Sequence, residues 1–359
     1  MTRFIVRRVL VSIPVLIGIV FLVFLLARVI PGSPCLATLG ERATAEQCRQ
    51  FAIRFGLDQP IPVQFVRYVQ QVATGDLGTS IKFKQPVTEL IIDRLPTTLE
   101  LSFYALLFAI SVGIVLGVIA AYRRNSKADV ATMVIANLGI STPVFVLGLI
   151  LAFTFAIVLR GTPLSLPPSA RLSPGVTVKP LQDVWAVFHG ATGPVKSTLD
   201  FFSGIYTLTA LVTFQWNALV DSFRHLILPA VALGTIPLAI IARITRSSLL
   251  DVMGRDYVRT ARAKGLRNWL LLTRHALPNA ILPVVTIIGL QIGLLISGAV
   301  LTETVFGLAG VGKTVVDAID GRDYVVIQGF TLMISIGFMI VNLIVDVSYA
   351  YLDPRIRVS

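Results

Sequence analysis

Gly307-Leu308-Ala309-Gly310-Val311-Gly312-Lys313-Thr314, GLAGVGKT, fits the phosphate-cradling pattern G-x-x-x-x-G-K-[ST] letter for letter. Everything depends on its context. A working loop of this kind sits between a strand and a helix: its backbone N–H groups wrap phosphates, the Lys meets their outer oxygens and the Thr hydroxyl takes Mg²⁺. Only about 45 residues follow it, most of them in one apolar run, so no parallel sheet and no Mg²⁺-holding Asp fit behind it. Leu343-Ile344-Val345-Asp346 has the look of the second ATPase motif, but it belongs to that same run. We therefore read GLAGVGKT as a chance match: a Gly-rich turn entering a short helix.

The chain has 359 residues, 55% hydrophobic and only 14% charged, a composition for lipid rather than water. Six apolar runs are long enough to cross a hydrocarbon core of roughly 30 Å as helices. They lie near Val9–Ile30, Thr98–Tyr122, Val130–Leu159, Leu226–Ile244, Ala280–Leu301 and Val325–Tyr349. The expected fold class is an all-α polytopic membrane protein with six transmembrane helices. Arg3, Arg7 and Arg8 precede the first run, but it is long for a signal and PGSP offers no small-x-small cleavage site, so it reads as a retained anchor. The net charge of +12 does not indicate nucleic acid, because the basic residues lie between apolar runs rather than among aromatics on a soluble face.

The basic residues instead report sidedness. The N-terminus, the turn 123–127, the loop 243–278 and the tail hold about 16 Lys and Arg in about 60 positions, against about 14 in roughly 160 for the remaining loops. The dense set is expected to be cytoplasmic, with both termini inside. This gives a cytoplasmic segment and first span over 1–30, an outer segment over 31–97, two spans over 98–159 and an outer insertion over 160–225. A core of three spans follows over 226–351, with a cytoplasmic loop at 245–278 and a tail at 352–359. Phe201–Leu219 is apolar enough to be weighed as a seventh span. It is short and carries Gln215 and Asn217, so we expect an interfacial or outer helix with Tyr206 and Trp216 at headgroup level. Cys35 and Cys48 fall in the first outer segment, where both a disulfide and two free thiols are chemically allowed. The three histidines are far apart, and no metal site is expected.

The most informative stretch is the basic loop from Asp256 to Pro278, DYVRTARAKGLRNWLLLTRHALP. A helical start, a break at Gly265, an apolar resumption at Trp269–Leu272 and a stop at Pro278 describe a rigid knob rather than a plain charged loop. This loop resembles the cytoplasmic signature of permease subunits of ABC importers: Glu-Ala-Ala, three residues, Gly, nine residues, then Ile-x-Leu-Pro. Nine residues after Gly265 stand His275-Ala276-Leu277-Pro278. Arg259-Thr260-Ala261 replaces Glu-Ala-Ala, so only Ala261 matches there. YVRTARAKG with RHALPNAILP is similar to the dipeptide/oligopeptide/nickel permease branch. The opening MTRFIVRRVLVSIPVLIGI, the outer stretch GLDQPIPVQFVRYVQQVATGDLGTSI, RLPTTLELS, Glu303–Gly307 and Leu352-Asp353-Pro354-Arg355 extend that resemblance over most of the chain, while 160–225 matches poorly.

The resemblance implies a type I ABC importer permease fold with extracytoplasmic insertions, in a bacterial cytoplasmic membrane. It also implies the partners: a second homologous permease, two cytoplasmic ATP-binding subunits and an extracytoplasmic solute-binding protein. ATP and Mg would belong to the ATP-binding subunits, so this chain has no cofactor of its own and is no enzyme. The residues expected to dock on the ATPase are Ala261, Gly265, Leu266, Arg274, His275 and Ala276. Arg262, Lys264 and Arg274 suit either acids on that subunit or anionic membrane lipid. Ser141, Gln291 and Ser297 are candidates for the translocation path, although helix–helix glue is the ordinary use of such residues. Ser141-Thr142-Pro143 is expected to kink the third span, Asp346 to pair with Arg243 or Arg123, and Glu100 is given no role. The implied function is import of di- or oligopeptides, with nickel chelates, glutathione or another small solute as alternatives. A different class, an ion-coupled carrier, would need more intramembrane carboxylates than the single Asp346.

Overall fold

A computed structural model describes residues 2–29, 34–40, 42–54 and 56–352. Their extended backbone amounts to one antiparallel bridge between Thr79 and Pro86; the rest is helix and connection. Helix α1 is Thr2–Val29, and the first outer segment adds α2 (Pro34–Leu39), α3 (Ala45–Arg54) and α4 (Ile61–Ala73). Helix α5 (Val87–Tyr122) is followed by α6 (Lys127–Ser141) and α7 (Val144–Ala152), the last running on as a wider π turn to Val158. The second outer segment carries α8 (Leu181–Val184), α9 (Gly193–Ser203) and α10 (Tyr206–Val212). Helix α11 (Trp216–Met253) then leads through α12 (Asp256–Ala263) and α13 (Asn268–Leu270) to α14 (Leu277–Gly298). Two short helices, α15 (Val300–Val305) and α16 (Val311–Asp320), precede α17 (Tyr324–Leu352).

Five helices among the described residues are long and apolar enough to span a bilayer, and six if the bent pair α6–α7 counts as one. Helices α5 and α11 have 36 and 38 residues, roughly 54–57 Å at 1.5 Å per residue, so both outrun the hydrocarbon core. They pack together along their lengths, and the reason is in their small residues. A β-carbon on Gly234 would lie 2.6 Å from the Ala105 carbonyl oxygen, and one on Gly117 2.7 Å from that of Ala242. Only glycine lets the backbones come this close, and close approach is what joins helices in lipid, where apolar burial gives no net drive.

The packing fixes two ends of the bundle. Val118 and Ala121 of α5, Leu249 of α11, and Leu272, Ala276 and Ala280 form one cluster, so the turn 123–127 and the loop 254–276 share an end. Asp129 and Arg246 close that end from α6 to α11, at 2.7 Å on both arms of the guanidinium. Arg8 of α1 lies near Asn342 and Leu343 of α17, which brings both ends of the described chain to the same side. Leu101, Ala105, Leu228, Leu295, Phe306 and Leu308 cluster at the far end, where the GLAGVGKT turn stands.

Two expectations need correction. The third run is not one kinked helix but a pair bent by 104°. Thr142, ahead of Pro143, is extended at φ −90°, ψ 124°, as a residue before proline prefers, and Pro143 has no N–H to continue the ladder. The stretch Phe201–Leu219 is neither a span nor one interfacial helix. It breaks at Gly204 and again at Phe214, whose φ is +58°, and divides among α9, α10 and the start of α11. Gln215, which argued against a span, exchanges two hydrogen bonds with the backbone of Lys179 (2.9 and 3.1 Å). Tyr206 carries the Arg171 guanidinium 3.6 Å above its ring. Cys35 and Cys48 are joined as a disulfide that ties α2 to α3, packed with Phe51 and Ile81.

Candidate functional site

The basic knob is built on the inner ends of α5 and α11. Helix α12 opens with Asp256 and closes with Arg262, charges that suit the two ends of its dipole. Gly265 follows with φ +80° and no atom within 4 Å of where a β-carbon would stand, so glycine is needed for the left-handed turn and not for space. The chain then re-enters through α13 and a π-wound stretch, Leu271–Ala276, directly into α14. Val258, Leu271, Leu272 and Ala276 are buried, and Trp269 meets Tyr122 edge to face at 5.7 Å. The knob is therefore rooted by its apolar side. Its other side shows Tyr257, Arg259, Arg262, Lys264 and Gly265 to the exterior, with Ala261 and Leu266 half-buried.

Of the docking residues read from sequence, Ala261, Gly265 and Leu266 lie together around the turn, with the Leu266 N–H reaching the Ala261 carbonyl at 3.5 Å. Arg274 is exposed and His275 half-buried one turn before α14. Ala276 is fully buried against α5 and α11, so a place for it on the docking face is corrected: it holds the root. Ser141 is exposed at the bend after α6, and Gln291 is buried in α14 at 6% exposure; the two are not partnered with each other. The side chains of Ser297 and Asp346 lie outside the described residues. Arg243 donates to the Asn137 amide oxygen at 2.8 Å.

At the far end the GLAGVGKT turn holds an acidic side chain supplied by the chain itself. Glu303 of α15 is wholly buried. Its Oε1 accepts from the Thr98 hydroxyl at 2.5 Å and its Oε2 from the Lys313 N–H at 3.0 Å, while the Val311 N–H donates to Thr98 Oγ1 at 2.8 Å. A β-carbon on Gly310 would sit 2.4 Å from Glu303 Oε1, so the carboxylate occupies the space a side chain would take. The Lys313 ammonium turns to Asp317, at 3.1 and 3.2 Å, and the Thr314 hydroxyl donates to the Gly310 carbonyl at 2.6 Å. The first turn of α16, where a bound phosphate would sit, is thus filled by the Glu303 carboxyl group. Burial pushes the Glu303 carboxyl above the usual range, and hydrogen bonds from Thr98, Lys313 and Gly312 pull against that rise.

Two more buried acids at this end were not legible as functional residues. Glu100, assigned no role from sequence, accepts from Arg171 Nη2 at 2.5 Å and from the Thr207 N–H and hydroxyl at 2.7 and 2.6 Å, which fastens the second outer segment to α5. Asp323 accepts from the Ser80 hydroxyl at 2.6 Å and the Lys82 N–H at 2.9 Å, which fastens the first outer segment to α17. Among the described residues no group of His, Cys, Asp and Glu is placed to hold a metal ion.

Residues 113–358 match the family described as "Binding-protein-dependent transport system inner membrane component", and residues 1–102 match its companion N-terminal membrane component. The chain is 41% identical over 99% of its length, and 100% of the relative's, to the "Dipeptide transport system permease protein DppB" of Alkalihalophilus pseudofirmus. It is 42% identical, over 99% of both chains, to the "Di/tripeptide transport system permease protein DppB" of Pseudomonas aeruginosa. With the "Probable D,D-dipeptide transport system permease protein DdpB" of Escherichia coli it shares 40% identity over 95% of this chain and 94% of the other. Matched in both its halves and over its full length, this helical, multi-pass chain belongs to the family of binding-protein-dependent transport system inner membrane components.

Proposed function

We propose that this chain is the membrane-spanning subunit of an ATP-driven importer that carries short peptides across the cytoplasmic membrane. The observation that carries the reading is the full-length identity of about 41% to relatives named for dipeptide transport. In this reading the knob end faces the cytoplasm, with both termini, and the end bearing Glu100, Glu303 and Asp323 faces outward. The exposed side of α12 and the Gly265 turn seat in a groove on a cytoplasmic ATP-binding subunit, and movement of that subunit is passed through Leu271, Leu272 and Ala276 into α5, α11 and α14. A second, homologous permease covers part of the apolar surface that α6 presents at Val130, Val134, Ile135 and Leu138. A solute-binding protein delivers substrate at the far end.

This chain itself hydrolyses nothing, and ATP and Mg are bound by the partner subunits. What supports this is the turn of GLAGVGKT: the Val311 and Lys313 N–H groups, the lysine ammonium and the threonine hydroxyl are each engaged within the chain. The exposed Arg262, Lys264 and Arg274 serve either acids of the ATPase subunit or anionic lipid headgroups. The test is purification from cells co-expressing the neighbouring reading frames, followed by reconstitution into proteoliposomes. Recovery with two ATP-binding subunits and a second permease, and ATP-dependent uptake of a labelled dipeptide, is the expected result. A chain that purifies alone and takes up solute without ATP is a carrier of another class. ATP-driven uptake of a nickel chelate or glutathione, with none of any peptide, would reassign the substrate and leave the machine intact.

A further inference from the structure

A cavity of about 470 Å³ opens at the far end between α3, α4, the turn at 76–81 and the first turn of α17, within the size range of small-molecule sites. Tyr324 and Gln328 of α17 and Tyr68 of α4 form its floor; all three are more than nine-tenths buried. The Nε2 end of the Gln328 amide is buried and meets no acceptor among the described residues. A buried donor of this kind costs about 1–3 kcal/mol when its bond is not made, so folded chains rarely keep one without a use. Helix α17 cannot roll to relieve it. The next residue, Gly329, is pressed so closely on Val87 that a β-carbon there would lie 2.6 Å from Val87 Cγ1.

The rim carries both signs of charge. Arg67 is exposed on α4, and Asp76 uses Oδ1 to accept the Gly78 N–H at 2.8 Å, which leaves its second oxygen for another donor. Gln71 stands beside them. A cation and an anion at the mouth over an amide donor at the floor complement a small zwitterion that has a carbonyl between its charged ends. We propose that this cavity binds a short peptide, whose carbonyl or carboxylate oxygen accepts from the Gln328 amide while Arg67 and Asp76 serve its charged ends. The proposal deepens the peptide-import reading and rests on it.

The test uses the complete transporter in lipid nanodiscs without its solute-binding protein, and dialanine as the probe, with binding followed by saturation-transfer NMR. Dialanine is expected to saturate at millimolar concentration. N-acetyl-dialanine-amide, which lacks both charges, is expected to bind at least about tenfold more weakly. Gln328→Leu and Arg67→Ala are each expected to weaken dialanine by about tenfold or more. Arg67 is exposed, so its variant keeps the test valid should the change at Gln328 disturb folding. Absence of saturable binding, or binding unchanged in both variants, overturns the proposal. So does a Gln328→Leu protein that melts higher and binds as before, because the amide then held only solvent. Variants that weaken attachment of the solute-binding protein but not of dialanine would make the cavity a protein-docking face and overturn it too. Uptake of labelled dialanine by the full system separates the two levels: uptake without cavity binding sinks this inference alone, and no uptake of any peptide sinks the reading beneath it.

Discussion

Glu303 shows how one residue decides what the GLAGVGKT turn is for. With its carboxylate removed in Glu303→Ala, the Thr98 hydroxyl and the Lys313 N–H lose their acceptor inside a packed site. The expected loss is about 2–4 kcal/mol, read as a lower melting temperature in detergent at matched scan rate. The pH dependence has a definite sign. Because burial holds the folded carboxyl above its ordinary value, the folded chain binds more protons than the unfolded one between those two values, so stability is full below the ordinary value and falls as pH rises through the folded one. Glu303→Gln does not titrate. The melting temperature of the native chain relative to Glu303→Gln is therefore expected to decline from pH 4 towards neutrality, and a difference that grows with pH would contradict this. Gly312→Ala is expected to destabilise by about 1–3 kcal/mol, since its β-carbon would meet the Val300 backbone at 2.4 Å. Lys313→Ala removes only a one-third-exposed pair with Asp317, worth at most about 0.5 kcal/mol. The ATPase rate of the assembled transporter is expected to stay within about twofold, whereas a true phosphate-loop lysine would be indispensable.

Among the elements, the knob of α12 and the Gly265 turn separates stability from coupling. Gly265→Ala meets no atom and strains only the left-handed backbone, at about 1 kcal/mol. Gly265→Trp starts from the same open, exposed position, so it is expected to melt near Gly265→Ala yet lose uptake by at least about tenfold, because the bulk falls on the face proposed to seat the ATPase subunit. Native uptake in that variant would remove the docking assignment. The closure between α6 and α11 behaves oppositely: Arg246→Ala leaves Asp129 almost fully buried without its cation and is expected to cost about 3 kcal/mol, while Arg246→Lys loses the two-armed fit and keeps the charge. The spans and the knob are legible in sequence because they are local: a continuous apolar run, a Gly at a left-handed turn, a proline where a helix begins. The 104° bend is legible only as a break at Pro143, since its size depends on packing such as Phe306 against Gly148. The acids of the far end are not legible at all, because Glu100 and Arg171 are 71 positions apart and Glu303 and Thr98 are 205 apart.

The two ends of the bundle are built differently. The far end is fastened by buried acids: Glu100 and Asp323 draw the outer segments onto α5 and α17, and Glu303 joins α15 to α5. The knob end is held by apolar contacts and the Arg246–Asp129 pair, and leaves the Arg262, Lys264 and Arg274 side chains outside. In the proposed orientation the fastened end receives the solute and the projecting basic end meets the ATPase subunit, as basic loops are retained on the cytoplasmic side during insertion. The chain's own cysteines are joined to each other, so a single introduced thiol is the one that reacts. Asp320 at the end of α16 and Lys264 beside the Gly265 turn are both exposed positions. In intact cells, with any outer membrane made permeable, a membrane-impermeant maleimide is expected to label Asp320→Cys and to spare Lys264→Cys until the cytoplasmic membrane is opened. The reverse pattern would place the knob outside, away from any ATP-hydrolysing partner, and the coupling assigned to Ala261, Gly265 and Leu266 would fall with it.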